Sequence, residues 1–558
     1  MKTCISFNKI KRYTAYSLLI ACLSLIACNS DTDSNNKPSA SILKMDNFEI
    51  TSSLKNSYEY EYKEFNLGNK RYTTAANRKM PYKLRGAIAV PNGAGPFPLV
   101  LVAHGAYEER SESKRFDTGF DYLVKGLAQN GYVAVSMDVV MPYILRYGGT
   151  DDYLEKLPVI VNEHIQSLKT ANDGGTAYKI ELTGKIDFEK TAIIGQQKSG
   201  SAVFQVAKEH NIKTVLSLAP SCDFWANFSN SDVSFLVPQY DGNAPELDGM
   251  FMYDYLSGKI EGKKSVTLLM GANHNFFNRS LKTDDSTFSE EINGHPALAR
   301  EEQEEFLINY AVDFFDSSFG KEDNFYHMTK PHANKMYGKN VLRQISTDKP
   351  IKLIDPSTSE NFETETGNTV VQQTVDSYSS EEDYTFIDTI TTDIAKAILD
   401  GARSKKNEST EYVSLNRNLI GIEWKAKNSQ VRVLPIVSDF SSKTNLTINL
   451  VPDSASNLNK TEDAITFSVV LRDNDGNVSK VTVADNQNIF SYSPGKMKKS
   501  DLTEEFIIEY WTPATPIGML NIPLSSFESI NLKSIKSVDL FFDGNESGSI
   551  FISSMQLQ

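Results

Sequence analysis

The stretch "KTAIIGQQKSGSAVF", Lys190 to Phe204, joins a short apolar run to a segment of helical character through a glycine. The run "AIIG" is typical of a buried β-strand, and "SAVFQVAKEH" places its apolar residues at helical spacing. A strand that turns sharply into a helix presents the residue at the tip of the turn. The sequence therefore predicts a strand–turn–helix elbow, and Gln197 occupies its tip.

Around this elbow, from about residue 46 to 320, apolar runs alternate with helical patterns. The strand-like runs are "FPLVLVAHG" (97–105), "YVAVSMD" (132–138), "KTAIIG" (190–195), "KTVLSLAPS" (213–221) and "SVTLLMGANH" (265–274). Helical patterns lie between them, and one at 297–319 closes the region. Continuous apolar strands that alternate with helices indicate a mostly parallel sheet covered on both faces. We therefore expect an α/β domain over residues 46–325.

The pattern of apolar and polar residues changes after about residue 350. Short β-like runs separated by turn residues predict an all-β sandwich or jelly roll over residues 351–558. The segment 393–402, "DIAKAILDGA", is the exception and has a helical pattern. Within the β region, "RDNDGNV" (472–478) lacks the carboxylates of a calcium loop, so we expect a hairpin turn there. Residues 326–350 are interpreted as the linker.

The N-terminus has the pattern of an export signal. "MKTCISFNKIKRY" carries four basic residues and no acid, and a short apolar run follows it. The run ends in "LIAC" (25–28), which resembles the lipobox of bacterial lipoproteins and implies that Cys28 is lipidated. An ordinary cleaved signal that contains a cysteine is the alternative. The expected organisation is a signal over residues 1–27, a flexible polar tether over 28–45, and a protein anchored to a membrane of the bacterial cell envelope.

Charge and cysteine content exclude several classes of function. Removal of the four basic residues of the signal takes the formal net charge from −14 to −18, so nucleic acid is not an expected partner. Cys28 and Cys222 are the cysteines left after the signal. They supply neither a disulfide framework nor a cysteine-based zinc site. We expect no cofactor and no metal, and the sequence leaves the oligomeric state open.

Polar residues follow several of the predicted strands. His104 ends one strand, Asp241 follows another, and His274 follows the last strong one. Ligands of open α/β sheets bind at the carboxyl ends of the strands, so Asp241, His274 and the Gln197 elbow are expected to converge. His104 is interpreted as a structural residue at the end of its strand.

At these residues the chain resembles an α/β-hydrolase domain, in particular the dienelactone-hydrolase, chlorophyllase and platelet-activating-factor acetylhydrolase group of serine esterases. The motifs are "GKIDFEKTAIIG" before the elbow, "YDG…ELDGMFMYDY" around Asp241 and "GANHNFFN" around His274. Elbow, acid and histidine follow one another in the order of that fold. The resemblance implies that Asp241 is the acid, that His274 is the base, and that the backbone N–H groups of Ala106 and Lys198 form the oxyanion hole.

The elbow departs from the family pattern Gly-x-Ser-x-Gly. Gln197 stands at the nucleophile position, and Ser199 stands where the second glycine is expected. A glutamine amide cannot be activated by a histidine as an alcohol can. We therefore expect a catalytically impaired pseudoenzyme that binds an ester- or carbohydrate-bearing ligand. The Gln197 side chain can hydrogen-bond His274, so a buried pair of His274 and Asp241 need not be left without a partner.

Two alternatives stay open at this point. Ser199 or Ser201 could serve as nucleophile in an active carboxylesterase, although helix geometry turns Ser199 about 200° away from the tip and sets Ser201 about 6 Å deeper. The other alternative is a structural surface protein without a ligand. The closing segment 520–558 resembles galactose-binding-like carbohydrate-binding modules, and a stalk or packing role is the alternative for it.

Overall fold

The computed structural model describes the chain in segments. These are residues 42–44, 48–75, 77–107, 113–144, 153–221, 230–244, 247–256, 260–286, 296–321, 324–347, 349–364, 367–375, 405–406, 412–413, 417–453, 456–459, 464–483, 488–490 and 516–558. The predicted signal, Cys28, Cys222 and the predicted helix at 393–402 lie outside the described residues. Within the described residues, no helix combines the length and the apolar character needed to cross a membrane.

The described helices and strands have the following bounds. The helices are α1 (Asp121–Gln129), α2 (Met141–Ile144), α3 (Tyr153–Asn172), α4 (Lys198–His210), α5 (Asp248–Tyr255) and α6 (Arg300–Ser318). The strands up to residue 346 are β1 (Ile42–Lys44), β2 (Phe48–Ile50), β3 (Tyr60–Thr73), β4 (Lys79–Pro91), β5 (Phe97–Ala103), β6 (Val133–Met137), β7 (Ile186–Gln196), β8 (Thr214–Leu218), β9 (Asp232–Pro238), β10 (Lys264–Leu269), β11 (Ala333–Met336) and β12 (Lys339–Ser346). The later strands are β13 (Ile351–Lys352), β14 (Phe362–Thr364), β15 (Thr369–Val375), β16 (Lys405–Lys406), β17 (Tyr412–Val413), β18 (Arg417–Trp424), β19 (Ser429–Val433), β20 (Asn445–Pro452), β21 (Ser468–Asp473), β22 (Val478–Thr482), β23 (Gly518–Pro523), β24 (Ile535–Phe542) and β25 (Gly548–Leu557).

A large mixed sheet carries the first part of the chain. Among the described residues its 11 strands run in the order β2-β11-β12-β10-β9-β8-β7-β5-β6-β4-β3. The strands from β6 through β5, β7, β8 and β9 to β10 are mutually parallel, and β3, β4 and β12 add antiparallel pairs. The apolar runs that predict strands therefore form the parallel centre, as expected.

Both faces of this sheet are covered. Side chains along β5 alternate between two cores: Leu99 and Leu101 join one apolar cluster, and Val100 and Val102 join the other. The first cluster includes residues of α3, α4 and α5, and the second includes residues of α1 and α6. Because successive strand residues face opposite sides, a run that is apolar throughout is buried only when helices cover both sides. The prediction of an α/β architecture is confirmed at this level.

Two further sheets, built mainly from antiparallel pairs, follow in the chain. Their orders are β1-β22-β21-β24-β19-β14 and β15-β18-β25-β20-β23, with β13 paired to β25. Trp424 of β18 stacks on Phe542 of β24 with ring centroids 4.1 Å apart, so the two sheets enclose a common apolar core. The segment 472–478 forms the hairpin between β21 and β22, as the sequence predicts.

The segments predicted as a linker and as a flexible tether contain strands. Residues 326–350 contain β11 and β12, which extend the large sheet beyond β10. Residues 42–44, at the end of the predicted tether, form β1 and pair with β22 of a C-terminal sheet. The physical reason is edge pairing, because a strand at the edge of a sheet leaves backbone groups that a short segment can satisfy.

Hydrogen bonds join the large sheet to the C-terminal part of the chain. The Gln344 side chain donates to the Ile517 carbonyl at 2.9 Å, and the Asn488 side chain donates to the Val341 carbonyl at 2.9 Å. The Gln558 amide accepts from the Thr347 N–H at 2.8 Å and donates to the Ile345 carbonyl at 3.0 Å. The described residues between 42 and 558 accordingly belong to one compact unit.

Candidate functional site

The elbow lies where the sequence predicts it. Strand β7 ends at Gln196 and α4 begins at Lys198, with Gln197 between them at φ 54° and ψ −122°. A positive φ is uncommon for a residue with a side chain and marks local backbone strain. A Cβ atom on Gly195 would lie 2.2 Å from the Ser199 carbonyl oxygen, so only glycine lets the helix approach the strand this closely.

Both ends of the Gln197 amide are engaged. Its Oε1 accepts a hydrogen bond from the Ala106 N–H at 2.6 Å, and its Nε2 donates to Asn243 Oδ1 at 3.0 Å. The side chain is buried. The Ala106 N–H, one of the two predicted oxyanion donors, is thus occupied by the amide oxygen of the residue at the nucleophile position. Lys198, the other predicted donor, is the first residue of α4.

The neighbouring glutamine connects the loops that surround the elbow. Gln196 Oε1 accepts from the Tyr107 hydroxyl at 2.5 Å, and Gln196 Nε2 donates to the His274 carbonyl at 3.3 Å. Gln196 is fully buried. The two consecutive glutamines therefore have different roles, since Gln196 ties the loop after β5 to the loop after β10.

Asp241 and His274 form a buried pair. His274 Nδ1 lies 3.1 Å from each carboxylate oxygen of Asp241. Asp241 Oδ1 also accepts the N–H groups of Asn243 at 2.8 Å and Ala244 at 2.7 Å, which fixes the carboxylate. A neutral His274 that donates its Nδ1–H to Asp241 leaves Nε2 as a hydrogen-bond acceptor. This is the orientation in which an acid holds a catalytic base.

The hydrogen bond considered between Gln197 and His274 does not form. His274 Nε2 is buried and has no hydrogen-bond partner among the described residues. The Gln197 amide bonds Ala106 and Asn243 instead, and these contacts satisfy both of its ends. A buried polar atom without a partner costs about 1–3 kcal/mol, so this nitrogen is an unusual feature of the site.

Two carboxylates set the electrostatics of His274. Burial alone would lower the pKa of its imidazole, but the charges of Asp241 and Asp285, with the hydrogen bond to Asp241, raise it above the ordinary value. Burial also raises the pKa of Asp285 to about 6; His274 opposes this shift and Asp241 adds to it. Asp285 Oδ1 accepts the Asn275 N–H at 2.9 Å, which places this carboxylate beside the histidine loop.

The loop that carries His274 is held from below by α6. Gln303 Oε1 accepts the Asn273 N–H at 3.0 Å, and Gln303 Nε2 donates to the Asn273 carbonyl at 2.9 Å. A Cβ atom on Gly242 would lie 1.8 Å from the Asp285 carbonyl oxygen, so the acid loop and the histidine loop are in direct contact. The pair is thus positioned by backbone contacts as well as by its own hydrogen bonds.

The two alternative nucleophiles lie apart from this pair. Ser199 Oγ donates to the His104 carbonyl at 2.6 Å and also contacts the Tyr143 hydroxyl. Ser201 Oγ donates to the Ser221 carbonyl. Both hydroxyls are buried in these contacts, and neither hydrogen-bonds His274.

His104 is engaged through both ring nitrogens. Its Nε2 accepts the Val139 N–H at 3.0 Å, and its Nδ1 lies 2.8 Å from the Gly105 carbonyl oxygen. These contacts hold the ring at the end of β5, where the sequence interpretation expects a structural residue.

Sequence reasoning missed three residues of the site: Gln196, Asn243 and Asp285. Asn243 follows Asp241 by two positions, and Asp285 lies in "KTDDSTF", where the sequence has no motif that distinguishes it from surface residues. Their roles depend on how three loops meet, which the spacing along the chain does not encode. No group of three or more potential metal-ligating side chains is arranged to hold an ion among the described residues.

Comparison of the sequence with known proteins found no match. No protein-family model matches the chain, and no curated protein is similar to it in sequence. The interpretation of the site therefore rests on its residues and their geometry.

Proposed function

We propose that residues 46–325 form an α/β-hydrolase domain of esterase ancestry that binds an ester- or carbohydrate-bearing ligand and does not hydrolyse it. The large, mostly parallel sheet is compatible with this fold. The proposal is supported by the chain order of the elbow, Asp241 and His274, and by their meeting beyond the carboxyl ends of β7, β9 and β10.

One observation carries the proposal: the Gln197 amide oxygen accepts the Ala106 N–H at 2.6 Å. In a serine esterase, such an N–H stabilises the negative charge that develops on the substrate carbonyl oxygen. Here the protein's own amide takes that place, and no alcohol stands at the tip of the elbow. Both the nucleophile and one donor of the oxyanion hole are thereby removed from catalysis.

The proposed class of ligand follows from the imidazole of His274, which the proposed loss of the nucleophile leaves in place. His274 Nε2 is buried and has no hydrogen-bond partner among the described residues. A ligand hydroxyl can donate to this nitrogen when the ring is neutral and accept from it when the ring is protonated, and carbohydrates supply several hydroxyls. The resemblance of residues 520–558 to galactose-binding-like modules supports the same class.

Wild-type protein is expected to hydrolyse short p-nitrophenyl esters no faster than background and to resist labelling by a fluorophosphonate probe. The physical reason is that loss of a triad serine typically costs on the order of a millionfold in kcat. Labelling followed by gel fluorescence tests this directly. Robust labelling that disappears in Ser199→Ala or Ser201→Ala would contradict the proposal and establish an active serine hydrolase.

We further propose that the protein is an exported lipoprotein anchored through Cys28. This residue lies outside the described part of the chain, so the lipobox-like "LIAC" carries the proposal. Cys28→Ala is expected to move the protein from detergent-extracted membranes to the soluble fraction, because the thiol that accepts the lipid is lost. Immunoblotting of the two fractions measures the change. A Cys28→Ala protein that stays with the membranes would count against this anchor.

A further inference from the structure

A cleft separate from the elbow lies between the β3–β4 hairpin and the segment that follows β6. Its volume is about 450 Å³, within the range of about 300–1,000 Å³ typical of small-molecule sites. Its polar lining consists of Asn69, Lys70, Arg71, Lys83, Arg85 and Asp138. Val140 and Met141 form an apolar part of its wall.

The concentration of positive charge in this cleft contrasts with the rest of the chain. The protein has a formal net charge of −14, yet four basic residues and a single acidic residue line this cleft. The carboxylate of Asp138 is already paired with Arg85. Lys70 forms a half-exposed pair with Glu163 at 3.2 Å, which is a weak interaction in solvent.

Arg71 and Lys83 are the cations that remain for a ligand. Neither side chain has a hydrogen bond or an ion pair within the described parts of the chain; Arg71 is exposed and Lys83 is half-buried. In the β3–β4 register, Arg71 pairs with Pro81 and Asn69 pairs with Lys83, so the side chains of Asn69, Arg71 and Lys83 share one face of the hairpin. Like charges held on one face repel each other unless an anion lies between them.

We propose that this cleft binds a small organic oxyanion, with its phosphate, sulfate or carboxylate group between Arg71 and Lys83. A guanidinium donates two parallel hydrogen bonds to such a group, and a lysine ammonium adds a compact charge. Asn69 supplies a further polar contact, and the apolar part of the ligand lies against Val140 and Met141. The site shares no residue with the Gln197, Asp241 and His274 arrangement, so it stands independently of the proposed function.

The test is thermal unfolding of the full-length protein with sodium phosphate, sulfate or succinate at constant ionic strength, against sodium chloride. We expect a saturable rise in melting temperature with at least one anion. Arg71→Gln/Lys83→Gln should weaken the apparent affinity by about tenfold or more, because two charge-assisted contacts are lost. The anion that stabilises best identifies the class of oxyanion. Lys83→Gln alone provides a milder variant in case the double variant folds poorly.

The matched control is Lys79→Gln/Lys208→Gln, which removes the same charge from exposed positions outside the cleft. Its affinity for the anion should stay close to that of the wild type. Equal weakening in both double variants would show a general charge effect and overturn the proposal. The proposal is also overturned if none of the three anions gives a saturable shift.

Discussion

Gln197→Ser is expected to turn the inert elbow into a fluorophosphonate-reactive esterase, with hydrolysis of short p-nitrophenyl esters at least about a hundredfold above the wild-type background. Serine at the tip would present its hydroxyl where the elbow displays a nucleophile. The shorter side chain would release the Ala106 N–H, which then faces the substrate oxyanion. His274 Nε2, unpartnered among the described residues, would take the serine proton, while Asp241 holds the ring.

Two controls make this result specific. Gln197→Ser combined with His274→Ala should lose both the labelling and the hydrolysis, because the base is absent. Gln196→Ser places a hydroxyl one residue earlier, away from the tip, and should remain inert. If Gln197→Ser folds as judged by circular dichroism but does not react, the interpretation of Asp241 and His274 as the remnant of a triad is wrong.

Gln558→Ala is expected to destabilise the whole described unit by about 2–4 kcal/mol in urea unfolding, because a buried amide with several hydrogen bonds is removed. The side chain bonds Ile345 on β12 of the large sheet, Thr347 just after that strand, and Thr447 in a C-terminal sheet, with distances between 2.8 and 3.2 Å. Its loss leaves the Thr347 N–H and the Ile345 carbonyl without this partner. We expect one cooperative transition in both wild type and variant.

The control for this variant is Gln556→Ala. Gln556 lies near the end of β25, two residues before Gln558, and its half-buried side chain forms no hydrogen bond with other described residues. Its replacement should change the free energy of unfolding by no more than about 0.5 kcal/mol. Equal effects of the two substitutions, or separate unfolding of the C-terminal sheets, would show that the Gln558 hydrogen bonds do not join the large sheet to the C-terminal sheets.

The sequence predicts those parts of the fold that depend on local pattern. The apolar runs that became β5, β6, β7, β8 and β10, and the helical spacing of α1, α4 and α6, are recognisable because burial repeats along the chain with the period of each element. Strands β11 and β12 escaped recognition. "ANKM" and "KNVLRQIS" mix polar and apolar residues without clear alternation, and their place in the large sheet, between β2 and β10, arises from long-range pairing.

The sequence predicts some features of the candidate site and not others. Gln197, Asp241 and His274 are accessible to prediction because each follows a strand, and strand ends meet at one edge of the sheet. The hydrogen-bond partners of the Gln197 amide could not be predicted from the sequence. Its choice of Ala106 and Asn243 over His274 depends on the relative positions of three loops within an ångström or so, which residue spacing does not specify.

The pairing of β1 and β2 has a consequence for the order in which the protein can fold. Residue 42 pairs with residue 480, and residue 48 pairs with residue 333, so β1 and β2 find their partners only after those distant segments have been synthesised. Contacts between such distant positions form slowly, because the loop between them must close first. Strands β1 and β2 therefore stay unpaired until β22 and β11 have been synthesised, and a nascent chain that ends before these partners leaves the backbone groups of its own first segment unsatisfied.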